Sequence, residues 1–317
     1  MRRRITRDRL DQSLSKLAAE VTDPRVGLYG PDTLAWHVTR EAALFLGAGR
    51  AALLQLAHPY VAYAVADHSV TLTDPLARFR STFRRIFRMT FGDLEEATTA
   101  ARTVHGVHER ICGTIREAAG PFEAGHTYQA NDVDAQVWVL ATLWDTTIRV
   151  FERVVRPLSQ EEKERFYAEG RRTAMLFGLE DELPATHEGF QSYVETMLES
   201  DTLTVTRPAA EIGRFILQPE NLLGRVVRAD YGVLTANLLP ERLARGFALD
   251  RGGDRGRARS ERVLDLAKAT FPRLPDRLRF LPAYIDGMRR LEGHTGRDRV
   301  GEILNAVYLG RGPTSGA

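Results

Sequence analysis

Apolar positions recur at helical spacing along most of the chain. In RLDQSLSKLAAEV they fall at 10, 14, 17, 18 and 21, which predicts a first amphipathic helix. Residues 33–57 are almost wholly apolar and read as one longer, buried helix that Pro59 stops or kinks. TDPLARFRSTFRRIFRMTF opens with Thr73 or Asp74 as a cap and Pro75 in the first turn. GDLEEATTAARTVHGVHERICGTIREAAG has acids at its front and Gly120-Pro121 at its end, which predicts a single helix across it. NDVDAQVWVLATLWDTTIRVFERVV follows, capped by Asn131 or Asp132 and closed by Pro157. SQEEKERFYAEGRRTAMLFG then opens on Ser159 and closes on Gly178. Further helices are expected over 188–200, 208–216, 219–236, 240–247, 259–271, 280–291 and 298–308.

Strand patterning is nearly absent. TLTVTR alternates at 202–207, but one isolated strand makes no sheet. LDRGGDRGRARSE (249–261) reads as an exposed loop and RGPTSGA as a disordered tail. The pattern predicts an all-α protein. Residues 1–30 form a basic helical arm, 31–310 one helical domain, and 311–317 the tail.

Composition narrows the function classes. Of the 317 residues, 43% are hydrophobic and 27% charged, as in an ordinary soluble globular chain. A formal net charge of +2 gives no overall surplus for nucleic acid, so none is expected as a partner. Lysine occurs only at 16, 163 and 268, and arginine supplies the rest of the positive charge. Guanidinium forks suit carboxylates and phosphates, although a coding bias accounts for most of these residues. Cys112 is the only cysteine, so no intrachain disulfide can form, which suits a reducing compartment. The N-terminus has no apolar core of the signal-peptide kind. The longest apolar stretch, 42–57, is too short to span a bilayer and carries Arg50. A cytoplasmic location without a transmembrane segment is the expectation.

Two of the eight histidines, His105 and His108, lie three residues apart and share a helix face. A zinc-protease motif needs histidines four apart with glutamate after the first, whereas Gly106 follows His105. A cysteine-rich zinc site lacks its cysteines. A di-iron bundle needs paired Glu-x-x-His motifs, and Asp134 and Asp145 do not supply them. Nucleophile elbow, P-loop and dinucleotide fingerprints are missing as well. Haem asks only for one imidazole and an apolar pocket. Two histidines on one helix cannot take opposite sides of one porphyrin, so one would be the ligand and the other its neighbour. A purely structural pair remains the alternative.

Four phrases occur together in order: LLQLAHPYVAYAVADHS (53–69), DPLARFRSTFRRIFRMTFG (74–92), VHERICG (107–113) and YQANDVDAQVWVLAT (128–142). In combination, over residues 30–240, they resemble the oxygenase family of the latex-clearing rubber oxygenases and the MpaB fungal oxygenase. The resemblance implies a catalytic domain that is all-helical with a globin-like core, binds haem b and uses dioxygen. It makes His108 the proximal ligand of the haem iron and His105 its companion. In RFRST it implies catalytic, pocket-lining roles for Arg78 and Thr82, with Arg78 meeting a haem propionate or orienting dioxygen.

Two positions depart from the family pattern. Ser81 stands where rubber oxygenases have a lysine, and Leu140 where a histidine is common. His58 and His68 are expected to be buried hydrogen-bonding residues that shape turns, and Trp138 and Trp144 to be core. His126, His187 and His294 are expected to be surface or structural, and Cys112 buried packing. The expected function is a haem b-dependent oxygenase acting with dioxygen on a small apolar molecule, such as an isoprenoid or alkene. The alternatives are a non-catalytic haem sensor or carrier, and an all-α regulator or scaffold whose basic arm meets nucleic acid.

Overall fold

Fifteen α-helices and one two-stranded ribbon make up the described residues of the computed structural model. Residues 3–68, 75–217, 222–294 and 301 are described, with the backbone alone for 75–80 and 222–229. The helices run α1 (Arg7–Glu20), α2 (Leu34–Thr39), α3 (Ala48–Leu56), α4 (Pro59–His68), α5 (Pro75–Phe91) and α6 (Leu94–His108). The ribbon pairs β1 (Cys112–Thr114) with β2 (Thr127–Gln129), antiparallel, with Gly113 opposite Tyr128. Then come α7 (Val133–Val154), α8 (Gln160–Met175), α9 (His187–Glu199), α10 (Arg207–Leu217), α11 (Leu222–Leu238) and α12 (Glu241–Gly246). The chain continues through α13 (Gly253–Thr270), α14 (Asp276–Arg279) and α15 (Pro282–Leu291). The all-α expectation holds.

α7 is the central helix. It has buried residues on every side, from Val133 to Val154, and packs against α2, α3, α8, α9 and α13. A helix buried over most of its length gives little surface to water, with Asp134 and Arg149 its exposed positions, so the others gather about it. Trp138 lies fully buried and its indole N–H donates to the Leu54 carbonyl (2.8 Å), which fixes α3 against α7. Trp144 is buried too, as expected for core. The arm joins the same core: Ile5, Leu10, Leu14 and Leu17 are buried in it. The Ile5 N–H donates to the Asn131 carbonyl (2.9 Å), and the Val133 N–H to that of Arg3 (3.1 Å).

Several expected elements are corrected. The single helix over 33–57 is three pieces: α2, a 3-10 helix at Ala42–Gly47, and α3. The break serves a distant partner. Glu41 is extended and bridges to Phe280, while the Leu281 N–H donates to the Arg40 carbonyl (2.7 Å). The buried Glu41 carboxylate takes two hydrogen bonds from Arg279, at 2.9 and 2.7 Å. A paired, bidentate carboxylate is tolerated inside, where an unpaired one is not.

The helix expected to run to Gly120 stops at His108, and the following chain forms β1. Gly113 permits this, because a Cβ there would meet the Tyr128 ring at 2.7–2.9 Å. Residues 202–207 are loop and the first residue of α10, not strand. The loop expected over 249–261 is helical from Gly253, since Gly252 supplies a left-handed start (φ 69°) and Ser260 is buried against Asn237 (3.1 Å). The tail, the caps Thr73 and Asp74, and nearly all of 298–308 lie outside the described residues. Among the described residues no helix is long and apolar enough to cross a membrane.

Candidate functional site

α5 and α6 are joined by Gly92-Asp93 alone, so they fold back as a hairpin and pack along each other. Asp93 and Glu96 form a capping box: the Glu96 N–H donates to Asp93 Oδ1 (2.8 Å) and the Asp93 N–H to Glu96 Oε2 (3.2 Å). Gly27 sits on this turn with φ 73°, where a Cβ would overlap the Gly92 carbonyl. Ala97, Ala100 and Ala101 give α6 a small-residue face that is buried.

The hairpin sets the register of the site. At about 1.5 Å per residue, Arg78 and His108 stand ~20 Å and ~21 Å out from the turn along their helices. Helix rise alone thus puts positions 78 and 108 at similar distances from the turn, with Thr82 one turn nearer the hairpin's bend. The Arg78 side chain lies outside the described residues, and Thr82 is exposed. Ser81 accepts a hydrogen bond from Arg85 Nη1 (3.0 Å). Leu140 is packed in the main core.

His105 and His108 occupy the last turn of α6. His105 is 7% exposed, and its Nε2 has no hydrogen bond; Glu109 Oε1 lies 3.4 Å away. His108 is half-buried, and its carbonyl accepts the Ile111 N–H (3.1 Å). Gly106 between them faces open space: a Cβ there would meet nothing within 4 Å.

Neutral amides hold this turn. Asp132, not Asn131, caps α7, accepting the Ala135 N–H at 3.0 Å. Asn131 is left free to reach α6, and its Nδ2 donates to the His105 carbonyl at 3.5 Å. Gln136 Nε2 donates to Asn131 Oδ1 and to the Ala130 carbonyl, both at 3.0 Å. The start of α7 therefore sets the end of α6.

The other expected residues divide. His58 is 2% exposed, and its Nδ1 accepts the Tyr60 N–H (3.2 Å), as expected of a turn-shaping histidine. Burial pushes its pKa down to about 4, so the ring is neutral at pH 7. His68 is exposed, against expectation, although its Nε2–H donates to the Cys112 carbonyl (2.9 Å). Cys112 is also exposed, because the helix that would have buried it is a strand there. His187 is fully buried, His126 half-buried and His294 exposed.

Sequence reasoning missed two constellations. Arg50, 3% exposed, pairs with Asp145 (2.7 Å) and donates to Thr146 Oγ1 (2.6 Å) and the Leu238 carbonyl (3.0 Å). A guanidinium inside an apolar stretch was the available signal that a buried acid had to exist. The second is a set of tyrosines around the ribbon, Tyr60, Tyr63 and Tyr128, for which spacing offered no signal.

Among the described residues no three His, Cys, Asp or Glu side chains gather as a metal site. A haem makes a smaller demand: one reachable imidazole beside apolar walls. A half-buried His108 and a buried His105 Nε2 without a hydrogen bond fit such a group. They do not fit a many-ligand ion.

Comparison with protein families matches residues 35–273 to a family described as ER-bound oxygenase mpaB/B'/Rubber oxygenase, catalytic domain. No curated protein and no solved structure matches the chain.

Proposed function

The chain belongs to the mpaB/rubber oxygenase family and carries its oxygenase catalytic domain, and from that premise we propose a haem b-dependent oxygenase for small apolar substrates. His108 would hold the iron through one ring nitrogen, with its other nitrogen fixed by a neighbouring group. His105 would pack behind it, and the amide chain through Asn131 and Gln136 would keep the turn in place. Arg78 would pair with a haem propionate or orient dioxygen, and Thr82 would line the same wall. Haem b, when bound, would supply the activation of dioxygen, the co-substrate. The interior beside α3, α5 and α7 is Leu, Ala, Val and Phe, which favours an alkene or isoprenoid over a polar substrate.

The observation that carries this reading is the half-buried His108 beside the buried His105 in the last turn of α6, inside the matched domain. The test is oxygen uptake by the haem-loaded chain with a dissolved isoprenoid alkene. Uptake that needs both haem and alkene supports the proposal; a protein that takes up no haem overturns it. Ser81 in place of the family's lysine favours a second reading, a haem sensor or carrier. A Soret band without substrate-dependent uptake selects that one.

A further inference from the structure

Three tyrosines stand together where the chain leaves α6, and each phenol has its own proton acceptor. The Tyr128 hydroxyl, on a fully buried ring, donates to Asp67 Oδ2 at 2.9 Å. Tyr60 and His126 Nε2 are hydrogen-bonded at 2.8 Å. The Tyr63 hydroxyl donates to Glu117 Oε1 at 3.3 Å. The rings are neighbours: Tyr60–Tyr128 centroids lie 6.4 Å apart and Tyr63–Tyr128 6.3 Å. Tyr128 faces Gly113 across the ribbon, and β1 begins at Cys112, one helical turn past His108. At the outer side, Arg116 lies over Tyr63 (4.8 Å to the ring centroid) and bonds Asp67 (2.8 Å).

The Tyr167 hydroxyl, by contrast, donates to the Pro184 backbone carbonyl (2.7 Å), which cannot take a proton. Packing alone asks for a satisfied hydroxyl; it does not ask for a base at every one. Burial alone would raise the Asp67 carboxyl, but hydrogen bonds from Arg116 and Tyr128 outweigh it and hold it below the usual value. Asp67 is therefore a carboxylate at neutral pH.

We propose that Tyr60, Tyr63 and Tyr128 form a redox relay that draws oxidising equivalents away from the end of α6. In the first step a phenol gives one electron to an oxidised metal complex, haem in the loaded protein or ruthenium(III) in the test, which is reduced by one electron. In a later step the neighbouring phenoxyl radical is the oxidant and takes back its stored proton. Each time, the O–H bond of the phenol being oxidised breaks and the proton passes to Asp67, His126 or Glu117, leaving a neutral phenoxyl radical. A soluble thiol or ascorbate returns one electron, and the stored proton goes back to the phenol oxygen. The protective role rests on the oxygenase reading; the oxidisability of the three tyrosines does not.

The test uses the full chain without haem, oxidised by photogenerated tris(bipyridine)ruthenium(III) and frozen for electron paramagnetic resonance. A phenoxyl signal is expected. It should be lost when all three tyrosines are changed to phenylalanine and kept in Tyr167→Phe. Difluorotyrosine placed at position 128, which preserves the ring and the packing, should split the signal by fluorine coupling. A signal that survives the triple change, or shows no fluorine splitting, overturns the relay. In the haem-loaded protein, peroxide should bleach the triple variant several-fold faster than the parent; equal rates would overturn the protective role and leave haem binding untouched.

Discussion

The two halves of α7 border two very different buried histidines. Toward the middle of the helix, Trp144 joins Tyr167, Phe190 and His187 in a closed aromatic cluster, with Tyr167 and Phe190 stacked at 4.9 Å. His187 is 0% exposed there, and neither ring nitrogen has a hydrogen bond. At the N-terminal end, Asn131 and Gln136 hold the turn that bears His105 and His108. There one ring is buried and the next is half-buried. An imidazole nitrogen without a hydrogen bond is common to both places, so it cannot by itself mark a ligand site. What separates them is access: the first ring is sealed by aromatic neighbours, whereas the second has a neighbour that a cofactor could reach.

The sealed half should respond to mutation through stability. Asp145→Ala leaves the buried Arg50 guanidinium without its acid, and a loss of about 3–5 kcal/mol in chemical denaturation is expected. A loss below about 1 kcal/mol would mean that water reaches this region and that it is not sealed.

Next in size is a pH effect from His58, which is buried beside the ribbon. Its folded pKa of about 4 lies below the ordinary 6.5. Above pH 6.5 both states are neutral and the ring contributes no pH dependence. As pH falls from 6.5 toward 4, the unfolded chain takes a proton that the fold refuses, so stability drops. At about 1.4 kcal/mol per pH unit the drop totals about 3 kcal/mol and levels off below pH 4. Burial lowers His37 and His187 in the same direction, so His58→Gln should remove part of this slope and leave the rest. Parallel curves for parent and variant would contradict the assignment.

Asn131→Ala should cost about 1 kcal/mol, because Gln136 loses its bond to Oδ1 but keeps the Ala130 carbonyl, and the His105 carbonyl keeps the Glu109 N–H. It should also weaken haem retention, which a purely structural amide would not do. The smallest effect is expected at His187→Phe. Replacing a ring whose nitrogens have no partner by an apolar ring should change stability by under about 1 kcal/mol and leave haem binding intact. Loss of haem in that variant would erase the distinction between the two histidine regions.

What could be read from the sequence follows the range of the forces involved. The cap Ser159 binds backbone three residues on, so local spacing revealed it and narrowed the α7 cap to Asn131 or Asp132. The break at Glu41 serves Arg279, 238 residues away, and no local pattern announces it. The ribbon failed to register for the same reason: Cys112–Thr114 is strand only because Thr127–Gln129 pairs with it. At the site, the shared face of His105 and His108 was legible in their spacing, and their α-helical turn is there. That positions 78 and 108 lie at similar distances from the turn depends on a two-residue hairpin link, which emerges only when the helix ends are known. The role of Asn131 was hidden because Asn and Asp are equally good caps, and only the fold decides which one is freed.

A haem b titration followed in the Soret region, on the parent chain and on His108→Ala, His105→Ala and His187→Phe, tests the central claim most directly. The account predicts one haem per chain for the parent and His187→Phe, a weakened complex for His105→Ala, and no Soret band for His108→Ala. An unchanged band in His108→Ala would contradict it.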